Sequence, residues 1–376
     1  MQAMITNRYD PAAERPKLDV ECMDLYTPVH ESDWKYSHHP HLAYFQGKLY
    51  AIWSNGRVNE DDLGQRVLLS VSDDFRSWSE PVPLVDSLMG KHSELVLTAA
   101  GFHQTCDERL VAYFGQYEYK PEVIQNGRRT PGDEGHMDTC LRAVTTADGA
   151  VWTPPLDMNL PIVPNHGPSA LSSGRLVISG NIMFPYTDDP SGLAGWKQAG
   201  IYPSDMEGGI RDDSESFRSV KERMDWPVGL CEGSMYELDD GTIRMLLRSN
   251  ADKLWATESR DGGASWTPPA ETDFTDNWTK FHFGRLPDGR YYYVGCPDPK
   301  PRGRRNPLVL SLSADGNVFD RHFILGNDSF EPKFPGMHKG GDYGYPHSLV
   351  HDGFLYVIFS IRKERVAVIR VRLGTF

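Results

Sequence analysis

The sequence predicts an all-β protein, a six-bladed β-propeller of four-stranded antiparallel sheets, and three observations carry that expectation. A polar turn followed at once by an apolar, aromatic-rich run occurs six times: FQGKLYAIWS (45–54), CDERLVAYFG (106–115), SSGRLVISGN (172–181), DDGTIRMLLR (239–248), PDGRYYYVGC (287–296) and HDGFLYVIFS (351–360). The turns at Gly47, Glu108, Gly174, Gly241, Gly289 and Gly353 stand 48 to 67 residues apart. Such a period marks radially stacked sheets, because one sheet cannot bury both its faces and needs a neighbour on each side. Each copy is also followed by a second short apolar segment: RVLLSVS (66–72), CLRAVTT (140–146), KQAGIYPS (197–204), KLWATES (253–259), LVLSLS (308–313) and RVAVIRV (365–371). No segment shows a helix pattern of note.

The third interval, from Gly174 to Gly241, is the weakest, since its pattern is too sparse for a further blade. Long loops at 116–138, 184–196, 205–228 and 327–345 hold most of the Gly, Pro and charge. Loops carried on a rigid scaffold are where a binding rim is expected.

A chain of 376 residues is read as a single domain, 1–376, because each added blade extends the same ring core. Its net charge of -13 and the lack of any run of five or six basic residues exclude a phosphate backbone as partner. No stretch approaches eighteen apolar residues, so no membrane partner is expected. The first residues lack the apolar core of a leader, which points to the cytoplasm, or to secretion with the leader absent from this sequence. Cys22, Cys106, Cys140, Cys231 and Cys296 are odd in number and without CxxC spacing, and so are read as free thiols.

Four of the second segments run into a related turn. SRDGGASW (259–266) is the clearest copy, and VSDDFRSW (71–78), TADGAVW (146–152) and SADGNVF (313–319) are weaker ones. Asp accepts bonds from the following amides, Gly supplies positive φ, and Trp or Phe fastens the loop to its sheet. This turn is the Asp-box, or BNR repeat, and with it the chain resembles the sialidase superfamily.

That resemblance implies a retaining exo-glycoside hydrolase whose substrate carries a carboxylate on the anomeric carbon. In place of a repelled carboxylate nucleophile, such enzymes use a tyrosine activated by a buried Glu, with an Asp as acid. Three arginines clamp the substrate carboxylate. Carried over residue by residue, Glu232 in GLCEGSMYELDDG is the base partner, and Arg248 ending MLLRSN is the second arginine. Arg305 in RGRRNPLVLSLSADG is the third arginine, with Arg304 its competitor. Tyr345 in GYPHSLVHDG is the nucleophile, with Tyr343 competing, and Asp62 or Asp61 is the acid, Asp62 being preferred. Standing alone, each of these residues reads as an ordinary surface or packing residue; their order along the chain raises them together.

The departure lies at the first arginine, where this chain has His38-His39-Pro40-His41. An imidazole does not replace a permanent bidentate cation. Arg57 or Arg142 is the available refill, and His38, His39 and His41 become substituted specificity contacts. Strand alternation puts His39 and His41 on one face and His38 on the other. A pocket histidine is preferred to a metal pair, and neither metal nor cofactor is expected.

The pocket histidines support an alternative, a lyase on uronic-acid-containing glycans. Its base would be His39 or His41 and its acid one of Tyr113, Tyr117, Tyr119 or Tyr345. A third reading is a noncatalytic glycan-binding propeller. All three take a carbohydrate partner, and the sequence sets no oligomeric state.

Overall fold

The computed structural model describes residues 5–130, 135–203, 205–206 and 210–376; parts of the N-terminal stretch and of the 116–138 and 205–228 loops, and the end of KQAGIYPS, lie outside that set. Small antiparallel sheets follow one another along the chain in a propeller-like arrangement, and each of the six turn-and-strand copies forms the second strand of its own sheet.

The first sheet consists of Tyr36–Phe45, Lys48–Gly56, Arg66–Ser72 and Val82–Val85, and the second of Val96–Gln104, Leu110–Tyr119, His136–Thr146 and Leu156–Asp157. The fourth is built on Leu230–Glu237, Ile243–Ser249, Lys253–Ser259 and Ala270–Thr275, and the fifth on His282–Arg285, Tyr291–Gly295, Leu308–Ser313 and Arg321–Gly326. In the last sheet Gly344–His351, Phe354–Ile361 and Arg365–Arg372 are completed by Glu21–Tyr26 from the start of the chain. The ends of the chain thus share one sheet, which closes the ring.

The expectation of six four-stranded blades is corrected. Five sheets have four or more strands; the fourth has six, because Thr6–Asn7 and Val318–Phe319 add to its edge in parallel. The third copy gives only Pro168–Ala170, Leu176–Ile178 and Tyr186–Thr187. Among its described residues KQAGIYPS does not form the expected strand; it is joined through bridges at Lys197 and Gly200, and Ile201 packs with Val177 and Ile178. Pro185 and Pro190 interrupt the connection, and proline cannot donate to a ladder. The helix Ser214–Arg223, which the sequence reading missed, fills the 205–228 loop; Asp213 caps it by accepting from the Ser216 amide.

Hydrophobic clusters lie between neighbouring sheets, as stacked blades require. Phe45, Tyr50 and Ile52 of the first sheet pack with Leu97, Leu110 and Phe114 of the second. On its other side, Leu42, Ala51 and Trp53 meet Ile358, Val366 and Val368 of the last.

The Asp-box turns share one bonding scheme. Asp261 accepts from the Ser265 amide at 2.9 Å and from Ser259 Oγ at 2.8 Å, while Trp266 Nε1 donates to the Gly263 carbonyl at 3.0 Å. Asp74, Asp148 and Asp315 accept likewise from the amides of Ser77, Val151 and Val318, at 2.7, 2.9 and 3.0 Å. All five cysteines are unpaired. Among the described residues no helix is long and apolar enough to cross a membrane.

Candidate active site

The innermost strands of four sheets each carry a bulge, between His38 and His41, Ala99 and Gly101, Cys231 and Gly233, and Gly344 and His347. A bulge adds a residue to one strand and re-aims its side chain. His39, Glu232 and Tyr345 sit in three of these bulges with φ of 54°, 51° and 51°. Asp61 and Arg305, in the connecting loops, have φ of 54° and 56°. Left-handed backbone costs a non-glycine residue about 1–3 kcal/mol and clusters where side chains must be held for function.

These side chains converge. Tyr345 Oη donates a short hydrogen bond to Glu232 Oε1. Arg248 Nη1 donates to Glu232 Oε2 at 2.6 Å and to the Tyr345 oxygen at 3.1 Å. The Arg305 guanidinium lies 5.3 Å from the centre of the Tyr345 ring, and the ammonium groups of Lys280 and Lys363 lie 5.8 Å from it. Glu232, Arg248, Arg305 and Tyr345 are all at least nine-tenths buried.

Arg305 is oriented by Asn277, whose Oδ1 accepts its amide at 2.8 Å, and by the Trp278 carbonyl. Its Nε and Nη1, Arg248 Nε and Lys280 Nζ are buried without hydrogen-bond partners. Buried donors left unpaired are costly, and an acceptor-rich, anionic group has the chemistry to satisfy them.

The electrostatics suit that description. Burial drives the Tyr345 phenol well above its usual range, and the Glu232 charge adds to the effect. Burial also works against the Glu232 carboxylate, but Arg248 and the tyrosine hydroxyl together hold it below the usual carboxylate range. His38 and His39 are pushed well below 6.5 by burial, with Lys363, Lys280 and Arg305 adding to it, and are neutral imidazoles.

A cavity of about 360 Å³ opens over this group, with His39, Glu60, Asp61, Tyr117, Asp212, Glu232 and Tyr345 in its wall. A second cavity of about 300 Å³ shares Glu60 and Tyr345 with it and adds Arg248, Trp278, Arg305 and Lys363. Three of the four expected rim loops contribute: Tyr117 and His136, then Asp213 and Phe217, then His338 and Lys339. The 184–196 loop contributes to neither wall.

Several expectations need correcting. Asp61 stands in the cavity wall; Asp62, the preferred acid, is buried away from it and accepts from Asn59 Nδ2 and the Leu63 amide, both at 3.1 Å. Arg304 is partly exposed and bonds Ser329, and Tyr343 donates no bond to Glu232, its hydroxyl instead accepting the Asp328 amide. Arg57 does not refill the clamp, because it is held bidentately by Glu94 at 2.7 and 2.8 Å. Arg142 faces Asp157.

Strand alternation also fails at the histidines. The bulge puts His38 and His39 together, 3.9 and 5.2 Å from the Tyr345 ring, whereas His41 packs against His166 and His347. Gly344 makes room for this packing, since a Cβ there would stand 3.0 Å from His38 Cε1.

The sequence reading missed Lys280, Lys363, Asn181 and Asp212. Lys363 Nζ pairs with Glu60 Oε2 at 2.5 Å, and its carbonyl accepts the Ser37 amide, so it is fastened beside His38. Asn181 Oδ1 accepts the Glu232 amide at 2.9 Å, and its Nδ2 donates to Asp212, whose pKa burial raises to about 6. A sequence signal existed only for Asp212, as one of the adjacent acids Asp212-Asp213 in a rim loop.

Fold and site together define a β-propeller with Asp-box turns and an axial pocket of a tyrosine, a glutamate and arginines with unpaired donor nitrogens. The BNR repeat-like domain model matches residues 47–357, and the chain belongs to that family, within the sialidase/BNR-repeat superfamily. A solved sialidase superposes with a TM-score of 0.67 at 18% identity, over 98% of this chain and 35% of its own, so this chain spans about a third of that sialidase. The NanB sialidase of Streptococcus pneumoniae gives 0.61 at 15% identity, over 94% of this chain and 70% of its own. The intramolecular trans-sialidase of Ruminococcus gnavus gives 0.62 at 12% identity, over 93% and 97%. At these identities the likeness is one of fold. No curated protein matches the chain.

Proposed function

We propose that this protein is a retaining exo-glycoside hydrolase that removes a terminal acidic sugar, and that the third sheet is a reduced sixth blade of its ring. The observation that carries the reading is the Tyr345–Glu232 hydrogen bond beneath a cavity lined by unpaired cationic donors. In this reading Glu232 takes the phenol proton as the Tyr345 oxygen attacks the anomeric carbon, and Asp61 protonates the departing oxygen. Water then attacks the sugar with Asp61 as base, Glu232 returns its proton to the departing Tyr345 oxygen, and the two inversions give net retention.

Arg248 and Arg305 hold the substrate carboxylate. The third cation comes from the neighbouring sheet: Lys363 stands beside His38, where the superfamily has an arginine. A lysine offers a point charge in place of a planar fork, so the preferred sugar is expected to differ from ordinary sialosides in shape or in where its carboxylate sits. Trp278, 40% exposed at the mouth, is the stacking surface for the sugar or its aglycone.

A lyase on uronic-acid-containing glycans remains the second reading, favoured by the neutral imidazole of His39 and by Tyr117 in the same cavity wall. One experiment separates the readings. Aryl glycosides of sialic, ketodeoxy-octulosonic, glucuronic and neutral deoxy sugars, together with uronate oligosaccharides, are assayed for reducing sugar and for ultraviolet absorbance of an unsaturated uronate. Hydrolysis without new absorbance, abolished in Tyr345→Phe, supports the proposal. New absorbance selects the lyase, and binding without turnover selects a noncatalytic glycan-binding module.

A further inference from the structure

We propose that the propeller axis, beneath the pocket, holds a divalent transition-metal ion such as zinc on His41, His166 and His347. Each offers one ring nitrogen, and the three nitrogens lie within 4.8 Å of one another. His41 follows the bulge in the inner strand of the first sheet, and His347 follows the corresponding bulge in the last. His166 stands just before the inner strand of the third sheet. Three blades far apart in sequence thus direct imidazoles to one point.

The hydrogen bonding leaves lone pairs available there. His166 Nε2 lies 2.9 Å from the Phe281 carbonyl and donates to it, which leaves Nδ1 as the acceptor, buried and without a partner. A metal-bound histidine usually shows this arrangement, one nitrogen on the metal and the other fixed by a carbonyl. His41 is fully buried with neither ring nitrogen bonded. An unsatisfied buried polar group is expensive, and a shared cation would take up the free lone pair of each ring at once.

His347 Nδ1 accepts the Leu42 amide at 3.2 Å, so ligation exchanges that long bond for a metal–nitrogen bond. Zinc–nitrogen bonds of about 2.0–2.1 Å in a tetrahedral site require the three nitrogens to close by roughly 1 Å, which the unrestrained His41 ring allows. His282 adjoins the cluster, 4.5 Å from His347 between ring centres, but its Nδ1 is engaged with Ser348 Oγ at 2.6 Å. The fourth position therefore falls to water. Lys280 is the charge that opposes a cation here: it is buried, without a partner, and acts electrostatically on all three rings. A metal at this point would tie the first sheet to the last, where the ring closes.

The test uses the whole chain, stripped with chelator and titrated with Zn²⁺ and Co²⁺. One metal per chain should survive gel filtration, Co²⁺ should give the visible absorption of a four-coordinate site, and zinc should raise the melting temperature. His41→Ala and His347→Ala should each weaken binding on the order of 100-fold or more. Lys280→Met should tighten it, and His282→Ala should keep one metal per chain. To separate ligation from folding, each variant is compared by melting without metal. Absence of retained metal in the wild type, or equal retention in His41→Ala and His347→Ala, overturns the proposal; loss in His282→Ala overturns the three-ligand assignment.

Discussion

The Asp-box turns and the axial pocket use the same kinds of polar residue in opposite ways. The partners of the Asp261 carboxylate, Ser259 and Ser265, lie within four residues along the chain, and they occupy both of its oxygens. Around Tyr345, the partners Glu232 and Arg248 are 113 and 97 residues away, and several donors have no partner. A self-satisfied turn contributes stability and has nothing left to offer a ligand. The pocket is left incomplete, at a cost in stability, and in the proposed function a substrate completes it.

The sharpest way to break the comparison is Tyr345→Phe. Turnover should fall at least about 10³-fold, because the proposed nucleophile is gone, while Glu232 and Arg248 remain paired and the melting temperature moves by no more than roughly 4 °C. Unchanged turnover would remove Tyr345 from the chemistry.

Next in size is Arg248→Met, which leaves the Glu232 carboxylate buried without its cation. Denaturant unfolding should show a loss of about 3–5 kcal/mol. A loss under 1 kcal/mol would mean that water already screens the pair.

Acid should act on the axis and spare the turns. Six histidines of the axis, the buried His38, His39, His41 and His166 and the partly buried His282 and His347, are pushed below 6.5 mainly by desolvation, His282 to about 3. Below 6.5 the unfolded chain binds protons on these rings and the folded chain does not, so stability falls as the pH drops. Asp276, raised by burial to about 7, opposes this, since between its unfolded value near 4 and 7 only the folded chain holds its proton. Lys280, lowered by burial to about 7, adds a little to the loss as the pH falls from 7 to 6. For chelator-treated protein the net loss from pH 7 to pH 6 should be about 2–3 kcal/mol, read from melting curves. A flat profile would show that the rings are hydrated.

The smallest effect expected is that of Asp261→Ala. Losing the bonds of one partly exposed turn should cost about 1–2 kcal/mol and leave turnover unchanged. A fall in turnover as large as that of Tyr345→Phe would erase the distinction between the two regions.

What could be read from the sequence follows this division. The Asp-box turns were legible, because a turn is bonded within itself and its residues are adjacent. Glu232, Arg248, Arg305 and Tyr345 were legible through their order and the resemblance it carries. Asp61 and Asp62 could not be told apart, since adjacent residues at a left-handed position point in different directions. Lys280 and Lys363 gave no signal, because what matters about them is burial beside residues 65 and 18 positions away: Tyr345 for each.

The sequence by itself determined the repeated turn-and-strand units and therefore an all-β ring, because each unit leaves apolar faces that only neighbouring copies can cover. Tertiary structure alone decided the reduction of the third sheet, the split of His38 and His39 from His41, and the choice of Lys363 as the cation beside Tyr345. Strand period and turn chemistry are local properties of a few residues. A bulge that re-aims a side chain, or a lysine arriving from the next blade, is fixed only when the ring closes and distant strands meet at the axis.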